Sequence, residues 1–302
     1  MLPFSRVAII GLGLIGSSIA RAVKDAMPGV ALSGFDADAD VRERARALRL
    51  CDDIADSAGA AVTDADFVIL CVPVGAMAAA ARDIAHDLPD DAVISDVGSS
   101  KGSVVAALRE ALPDAAIVPA HPVAGTERSG PEAGFAALFR NRWCILTPPE
   151  GTDPLAIERV GEFWKRLGAK IETMEPAHHD RVLAVTSHLP HLIAYTIVGT
   201  ASDLEEVTSS DVIKYSAGGF RDFTRIAASD PTMWRDVFLS NREAVLDMLQ
   251  RFSEDLSALQ RAIRWGKGDE LFDLFTRTRA VRRSIVEQGQ DDAREDFGRS
   301  HE

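Results

Sequence analysis

Three stretches of this chain hold side chains that could move a proton or grip an anion. His121 lies in Ala120-His121-Pro122-Val123-Ala124-Gly125-Thr126-Glu127, directly after an apolar strand candidate at 117–119. An imidazole with an unperturbed pKa of about 6.5 suits proton abstraction near neutrality. In an open parallel sheet, ligands bind beyond the carboxyl ends of the strands, where such a histidine would sit. The bland alternative is a capping or hydrogen-bonded loop histidine. Upstream stands Asp96-Val97-Gly98-Ser99-Ser100-Lys101, whose serines could instead cap a helix at 101–112. Downstream, Ser187-His188-Leu189-Pro190-His191 places two histidines three apart. As metal ligands they would need further partners that no spacing supplies, so no metal is expected. Capping of the helix after Pro190 is their other reading.

A second constellation sits near the N-terminus. Gly11-Leu12-Gly13-Leu14-Ile15-Gly16 follows the strand candidate 7–10 and opens a helix at 14–24. In such a fingerprint Gly11 permits the tight turn and Gly13 lets the backbone approach a pyrophosphate. Gly16 lets helix and strand pack closely. The phosphates then rest on the helix N-terminus, where free N–H groups and the helix dipole favour anions. Asp36 follows the second strand candidate, placed to accept hydrogen bonds from a ribose. A 2′-phosphate there would meet Asp36, Asp38 and Asp40 together, which favours NAD over NADP, although Arg42 and Arg44 keep NADP open. Leu14, Ile15, Val72 and Pro73 complete the expected cofactor contacts.

The elements that must position these groups follow from pattern. Apolar runs at 7–10, 31–35, 67–72, 92–95, 117–119, 143–146 and 170–173 alternate with amphipathic stretches at 41–50, 103–112 and 154–167. Strand–helix alternation of this kind indicates a Rossmann-type, doubly wound parallel sheet. After Pro176 almost everything reads as helix, with breaks at 209–211 and at Gly218-Gly219. His178, His179 and Asp180 cluster there, but adjacent residues point in different directions on a helix, so they read mainly as its start. The expected division is a nucleotide-binding domain at 1–176, an all-helical domain at 177–287 and a disordered tail at 288–302. Helical domains in this position commonly pack against a second copy, so a homodimer is expected, with a self-sufficient bundle as the alternative.

The chain has 302 residues, enough for two domains, and carries a net charge of −13. That charge argues against general affinity for nucleic acid or an anionic membrane, and an anionic substrate must be captured by local arginines. Cys51, Cys71 and Cys144 are odd in number and widely spaced, reading as reduced core residues. No signal peptide is evident and no apolar run reaches the roughly 20 residues that span a bilayer. A cytoplasmic location is expected.

Taken together, the chain resembles the prephenate/arogenate dehydrogenase family over roughly residues 5–285. The resemblance rests on an ordered set of motifs. They are the glycine loop continued to Ser18, 96–101, His121 to Gly130, 187–191, Gly218-Gly219-Phe220-Arg221-Asp222-Phe223-Thr224-Arg225-Ile226, and Pro231-Thr232-Met233-Trp234. It implies an oxidative decarboxylation with NAD. Hydride leaves a ring carbinol carbon, the hydroxyl proton goes to a base, and loss of carbon dioxide aromatises the ring. On this resemblance His121 is the base, and Ser99 hydrogen-bonds it and approaches the nicotinamide. Arg225 pairs with the ring carboxylate. His188 and His191 lie near the substrate, with His191 the contact to its side-chain carboxylate. Glu127 orders the entrance and Trp234 lines the pocket. Arg221 is a neighbour that an interdomain or surface ion pair would equally explain. Neither a C-terminal regulatory domain of the kind some relatives carry nor a fused mutase domain is expected. Two alternatives remain at this point. A 3-hydroxyacid-type dehydrogenase would use a helical-domain lysine, of which Lys214 alone lies between 171 and 266. A non-catalytic NAD sensor would need neither base nor arginine. Prephenate and arogenate differ only at a side-chain group that no motif here reads.

Overall fold

The computed structural model describes residues 2–208 and 218–287. The expected break at 209–211, Lys214 and the tail at 288–302 lie outside them. The chain separates into two compact units, Met1–Leu246 and Asp247–Glu302.

The first unit opens with β1 (Arg6–Ile10), α1 (Leu14–Ala26), β2 (Ala31–Phe35), α2 (Ala39–Ala47), β3 (Asp53–Ile54), α3 (Ala58–Val62) and β4 (Phe67–Leu70). There follow α4 (Met77–Ile84), β5 (Val93–Asp96), α5 (Gly102–Ala111) and β6 (Ala116–Ile117). The six strands lie in the order β3-β2-β1-β4-β5-β6, all parallel, which is the dinucleotide-binding arrangement. Alternate residues of the central strands enter two separate cores. Val7, Ile9, Phe67 and Ile69 face one side, and Ala8, Ile10, Val68 and Leu70 face the other. A sheet covered on both faces needs such unbroken apolar strands, which is why these runs were readable. β3 was not, because Asp53-Ile54 behind Asp52 makes no apolar run.

The expected seven-stranded parallel sheet divides in two. β7 (Ala120–Pro122), β8 (Trp143–Leu146) and β9 (Lys170–Thr173) form a separate small sheet, with β7 antiparallel to β8 and β8 parallel to β9. Of the strand expected at 117–119 only Ile117 lies in β6, 118–119 link it to β7, and His121 lies within β7 instead of in a loop beyond a parallel strand. Between β8 and β9, α6 (Pro154–Arg166) buries Phe163 and Trp164, and Phe163 meets Phe67 edge-on at 5.0 Å.

α7 (Pro176–Leu183) runs through a single π-helical turn, Ala184–His188, into α8 (Leu189–Thr208). No helix begins at Pro190, so neither His188 nor His191 caps one. The joined run Pro176–Leu204 is long and apolar enough, by length and composition, to cross a bilayer. This corrects the expectation that no such run exists, and the end-to-end joining of α7 and α8 is the reason. His179, Asp180 and His188 are buried within it. Gly218-Gly219, expected as a break, begins the helix Gly218–Thr224. A short turn, Arg225–Ala228, and the helix Pro231–Ser240 complete this unit's elements up to the helix Arg242–Arg264.

The second unit holds most of Arg242–Arg264 and the helix Gly268–Glu287. Its apolar side chains are poorly covered: Ile263, Trp265, Phe272, Phe275 and Val281 are all more than half exposed.

Candidate active site

The glycine-rich loop has the geometry its spacing demands. Gly11 takes φ +101°, and a Cβ there would lie 2.5 Å from the Cys71 carbonyl oxygen. A Cβ on Gly16 would lie 1.9 Å from the Gly11 carbonyl oxygen, so helix and strand could not close with any side chain. A Cβ on Gly13 would meet nothing within 4 Å. Gly13 thus fronts open space at the start of α1, where no side chain caps the first-turn N–H groups. Uncapped helix N–H groups beside an open glycine backbone are what a pyrophosphate needs.

Asp36 is fixed beside this loop. Its carboxylate accepts from the Leu12 N–H at 2.8 Å and from the Asp38 N–H at 3.0 Å. Arg42 donates to the carbonyls of Asp36 and Ala37, and Arg44 pairs with Glu132 at 3.0 Å. Arg42 is thus bound to main-chain carbonyls and Arg44 to Glu132, and a 2′-phosphate would meet the Asp36 carboxylate. Leu14 and Ile15 pack partly against the core under the loop, Val72 lies against Gly11, and Pro73 is exposed. The residues present fit NAD.

His121 is 7% exposed, and its Nδ1 lies 2.8 Å from Nε2 of His179. His179 Nδ1 lies 2.9 Å from Oδ1 of Asp180. The Asp180 carboxylate also accepts from the N–H groups of Lys101 and Gly102, at 2.7 and 2.8 Å. Thus Asp180, from a distant helix, caps α5; neither Ser99 nor Ser100 does so. Ser100 Oγ instead lies 2.7 Å from Ser240 Oγ. Lys101 is fully buried, with its Nζ donating to Asp96 and to the Ala120 carbonyl, so it ties the end of β5 to the strand carrying His121. Asp96 in turn accepts from the Gly98 N–H. Burial raises the Asp96 carboxyl and lowers the Lys101 ammonium, and each partly restores the other's charge.

Burial also holds His121 well below the ordinary histidine value, with the neighbouring His179, Lys101 and His188 acting in the same direction. This corrects the expectation of a base titrating near 6.5: the ring is neutral throughout the neutral range. For Asp180 burial acts upward, but the hydrogen bonds from His179, Gly102 and Lys101 prevail and lower it.

The remaining expected residues gather in part. His191 is half-buried, its Nδ1 lies 2.9 Å from the Ser187 carbonyl, and its ring stacks on Trp234 at 3.6 Å. Trp234, 6% exposed, also meets His188 edge-on. His188 is fully buried, and burial lowers it to about 4. Its Nδ1 faces Asn241 Nδ2 at 3.1 Å, while its Nε2 lies toward the Ser99 main chain without closing a well-formed hydrogen bond. Arg225 and Glu127, 98 positions apart, form an exposed ion pair at 3.3 Å. Ser99 is half-buried, with its main chain against His188, and its hydroxyl makes no hydrogen bond to His121 among the described residues, where the ring's one side-chain partner is His179. Arg221 is exposed and joins no ion pair among the described residues.

Comparison with known proteins decides the family. Residues 19–173 match the prephenate dehydrogenase nucleotide-binding domain, and residues 175–277 match the prephenate dehydrogenase dimerization domain. The chain is 47% identical to the cyclohexadienyl dehydrogenase of Zymomonas mobilis, over 94% of this chain and 97% of that one. This chain belongs to the prephenate dehydrogenase family. Among solved structures it is similar to the Aquifex aeolicus prephenate dehydrogenase in complex with hydroxyphenyl propionate and NAD+. That match has a TM-score of 0.87 and 36% identity, covering 93% of this chain and 98% of the other. The Synechocystis arogenate dehydrogenase matches with a TM-score of 0.79 and 26% identity, over 93% and 99% of the two chains.

Sequence reasoning passed over Lys101, Asn241, His179 and Asp180 as parts of this site. Lys101 could have been suspected, since a lysine closing a six-residue motif between strand and helix is placed to fold back onto the strand end. His179 and Asp180 were visible as a cluster. Their pairing with His121 and α5 depends on how α7 packs, which no local pattern shows.

Proposed function

We propose that the chain catalyses the NAD-dependent oxidative decarboxylation of prephenate, arogenate or both. The products are 4-hydroxyphenylpyruvate or tyrosine, in tyrosine biosynthesis. NAD supplies the hydride acceptor. The observation that carries the reading is His121: a neutral imidazole with Nδ1 committed to His179, in the same compact unit as an open dinucleotide loop. Its Nε2 takes the proton of the ring hydroxyl as the carbinol carbon is oxidised. Loss of the ring carboxylate as carbon dioxide then aromatises the ring.

Arg225 receives the ring carboxylate. Its planar fork suits bidentate contact, and its half-exposed pairing with Glu127 leaves it able to exchange one carboxylate for another. His191, braced on Trp234, offers Nε2 to the substrate's side-chain carboxylate, with His188 beside it. Ser99 offers an uncommitted hydroxyl near the nicotinamide side. Arg221 acts at longer range, steering an anion toward a chain of net charge −13.

The functional division falls near residue 176, with the helical part forming a homodimer through the apolar side chains left exposed on its last two helices. No nucleic acid or membrane partner belongs to this reading, and the enzyme acts in the cytoplasm. Turnover followed as NADH formation, with NAD or NADP against prephenate or arogenate in all four combinations, tests it. NAD-dependent turnover with either acid is the expected result. A folded, NAD-binding protein that turns over neither would overturn the assignment.

A further inference from the structure

Asp180, His179 and His121 form a chain of hydrogen bonds leading from the start of α5 to the candidate base, and its polarity is fixed from one end. The Asp180 carboxylate is held in its charged form by three donors besides any solvent, namely His179 and the N–H groups of Lys101 and Gly102. A carboxylate only accepts, so Nδ1 of His179 must carry the hydrogen in the 2.9 Å contact. His179 is itself lowered, by burial first, and is neutral; its Nε2 therefore holds a lone pair. That lone pair can only accept from Nδ1 of His121 across 2.8 Å. With the hydrogen on Nδ1, the lone pair of His121 stands on Nε2.

We infer that His179 and Asp180 are positioning residues which lock His121 in the tautomer whose Nε2 accepts the substrate proton. The inference rests on the reading of His121 as the base. The lock has two consequences. The ring is always in the form that can react, and its orientation is fixed by a partner that is itself fixed. When Nε2 takes the proton, the new positive charge lies on a ring whose other N–H points through His179 to the Asp180 carboxylate. The other charged or titratable groups facing His121 are Lys101, from the start of α5, with its Asp96 counter-ion at the end of β5; Cys144, across the strand pair; and His188, from the π turn. Lys101 disfavours the imidazolium, although its own charge is paired with Asp96, and the Asp180 chain is the hydrogen-bonded path among the described residues that favours the protonated ring. Asn241 holds this arrangement from behind, donating from Nδ2 to the Asp180 main-chain carbonyl at 2.8 Å.

The test compares His179→Leu with His179→Gln in the full-length protein, each checked for NAD affinity. Leucine removes the acceptor, and kcat is expected to fall on the order of 10²-fold, within the range that misoriented or mistautomerised bases lose. KM for both substrates should hold within about threefold, because neither side chain touches substrate. Glutamine can place Oε1 where Nε2 stood, and it should restore most of kcat. A leucine variant with wild-type kcat, or a folded glutamine variant no faster than leucine, would overturn the proposal. If the leucine variant does not fold, nitrogen NMR of His121 in the unaltered protein decides: hydrogen on Nδ1 supports the lock, hydrogen on Nε2 refutes it. His121→Asn serves as the control that separates the two ideas. Wild-type turnover in that variant removes the base assignment itself, whereas an inactive His121→Asn beside a normal His179→Leu removes only the lock.

Discussion

The dinucleotide loop and the His121 site differ in what they are made of. The loop is backbone: three glycines, an uncapped helix start and one carboxylate, within 26 consecutive residues and open to solvent at Gly13. The histidine site is side chain: His121 from β7, Lys101 from the start of α5, His179 and Asp180 from α7, and Asn241 from beyond the helix Pro231–Ser240. The loop's function depends on what is absent, a Cβ, and the site's on what is hydrogen-bonded to what. Binding and chemistry are thus assigned to structures that should fail separately.

The largest expected failure is at the histidine. His121→Asn keeps a polar group of similar bulk but supplies no proton acceptor of suitable strength. Turnover should fall by about 10²–10⁴-fold. NAD affinity, measured by fluorescence quenching or calorimetry, should stay as it was, because the side-chain partners of His121 are His179, Lys101 and His188 and not the glycine loop. Parallel loss of both would break the comparison and mean that the two regions are one cooperative unit.

The loop can be split in the same way. Gly16→Ala would put a methyl group 1.9 Å from the Gly11 carbonyl oxygen, a backbone atom that cannot swing aside. Overpacking against backbone stands at the costly end of such changes, about 3 kcal/mol, and the melting temperature should drop clearly. Gly13→Ala meets nothing within 4 Å. That variant should keep its melting temperature and show instead a raised KM for NAD. Equal thermal losses in both would show that Gly13 serves the fold and not an approach to phosphate.

This contrast also explains what was legible. The glycine loop could be read because most of its demands are local, with Gly16 closing on the Gly11 carbonyl between a strand before and a helix after; the Cys71 carbonyl against Gly11 is the remote part. The six-stranded sheet was legible for the same reason, through apolar runs such as 67–70. The split after β6 was not, because 120–122 follow the strand candidate 117–119 like a loop, and only pairing with β8 makes them a strand of a second sheet. His121 could be singled out from its motif, but its environment could not: its pKa is lowered by burial and by His179, a partner 58 positions away. Ser99 shows the same limit, since a serine beside a helix start reads as a cap until the carboxylate of Asp180 is seen in that place.

The smallest expected effect bears on how far the buried histidine cluster is adapted to one protonation state. His188 falls from the ordinary value of 6.5 to about 4 in the folded chain, chiefly through burial. Below pH 6.5 the unfolded chain therefore takes up a proton that the folded chain refuses. Stability contributed by the neutral ring is complete above 6.5 and is lost as pH falls toward about 4. At pH 5 that loss should amount to roughly 2 kcal/mol from this residue alone. Urea unfolding at pH 7 and pH 5 measures it, with His188→Gln as the reference, since glutamine keeps hydrogen-bonding groups near Asn241 but does not titrate. The variant should be less stable than the parent at pH 7, and the gap should narrow at pH 5. A gap that stays constant would mean that His188 is hydrated in solution, and that the side-chain site is as open to water as the loop it was contrasted with.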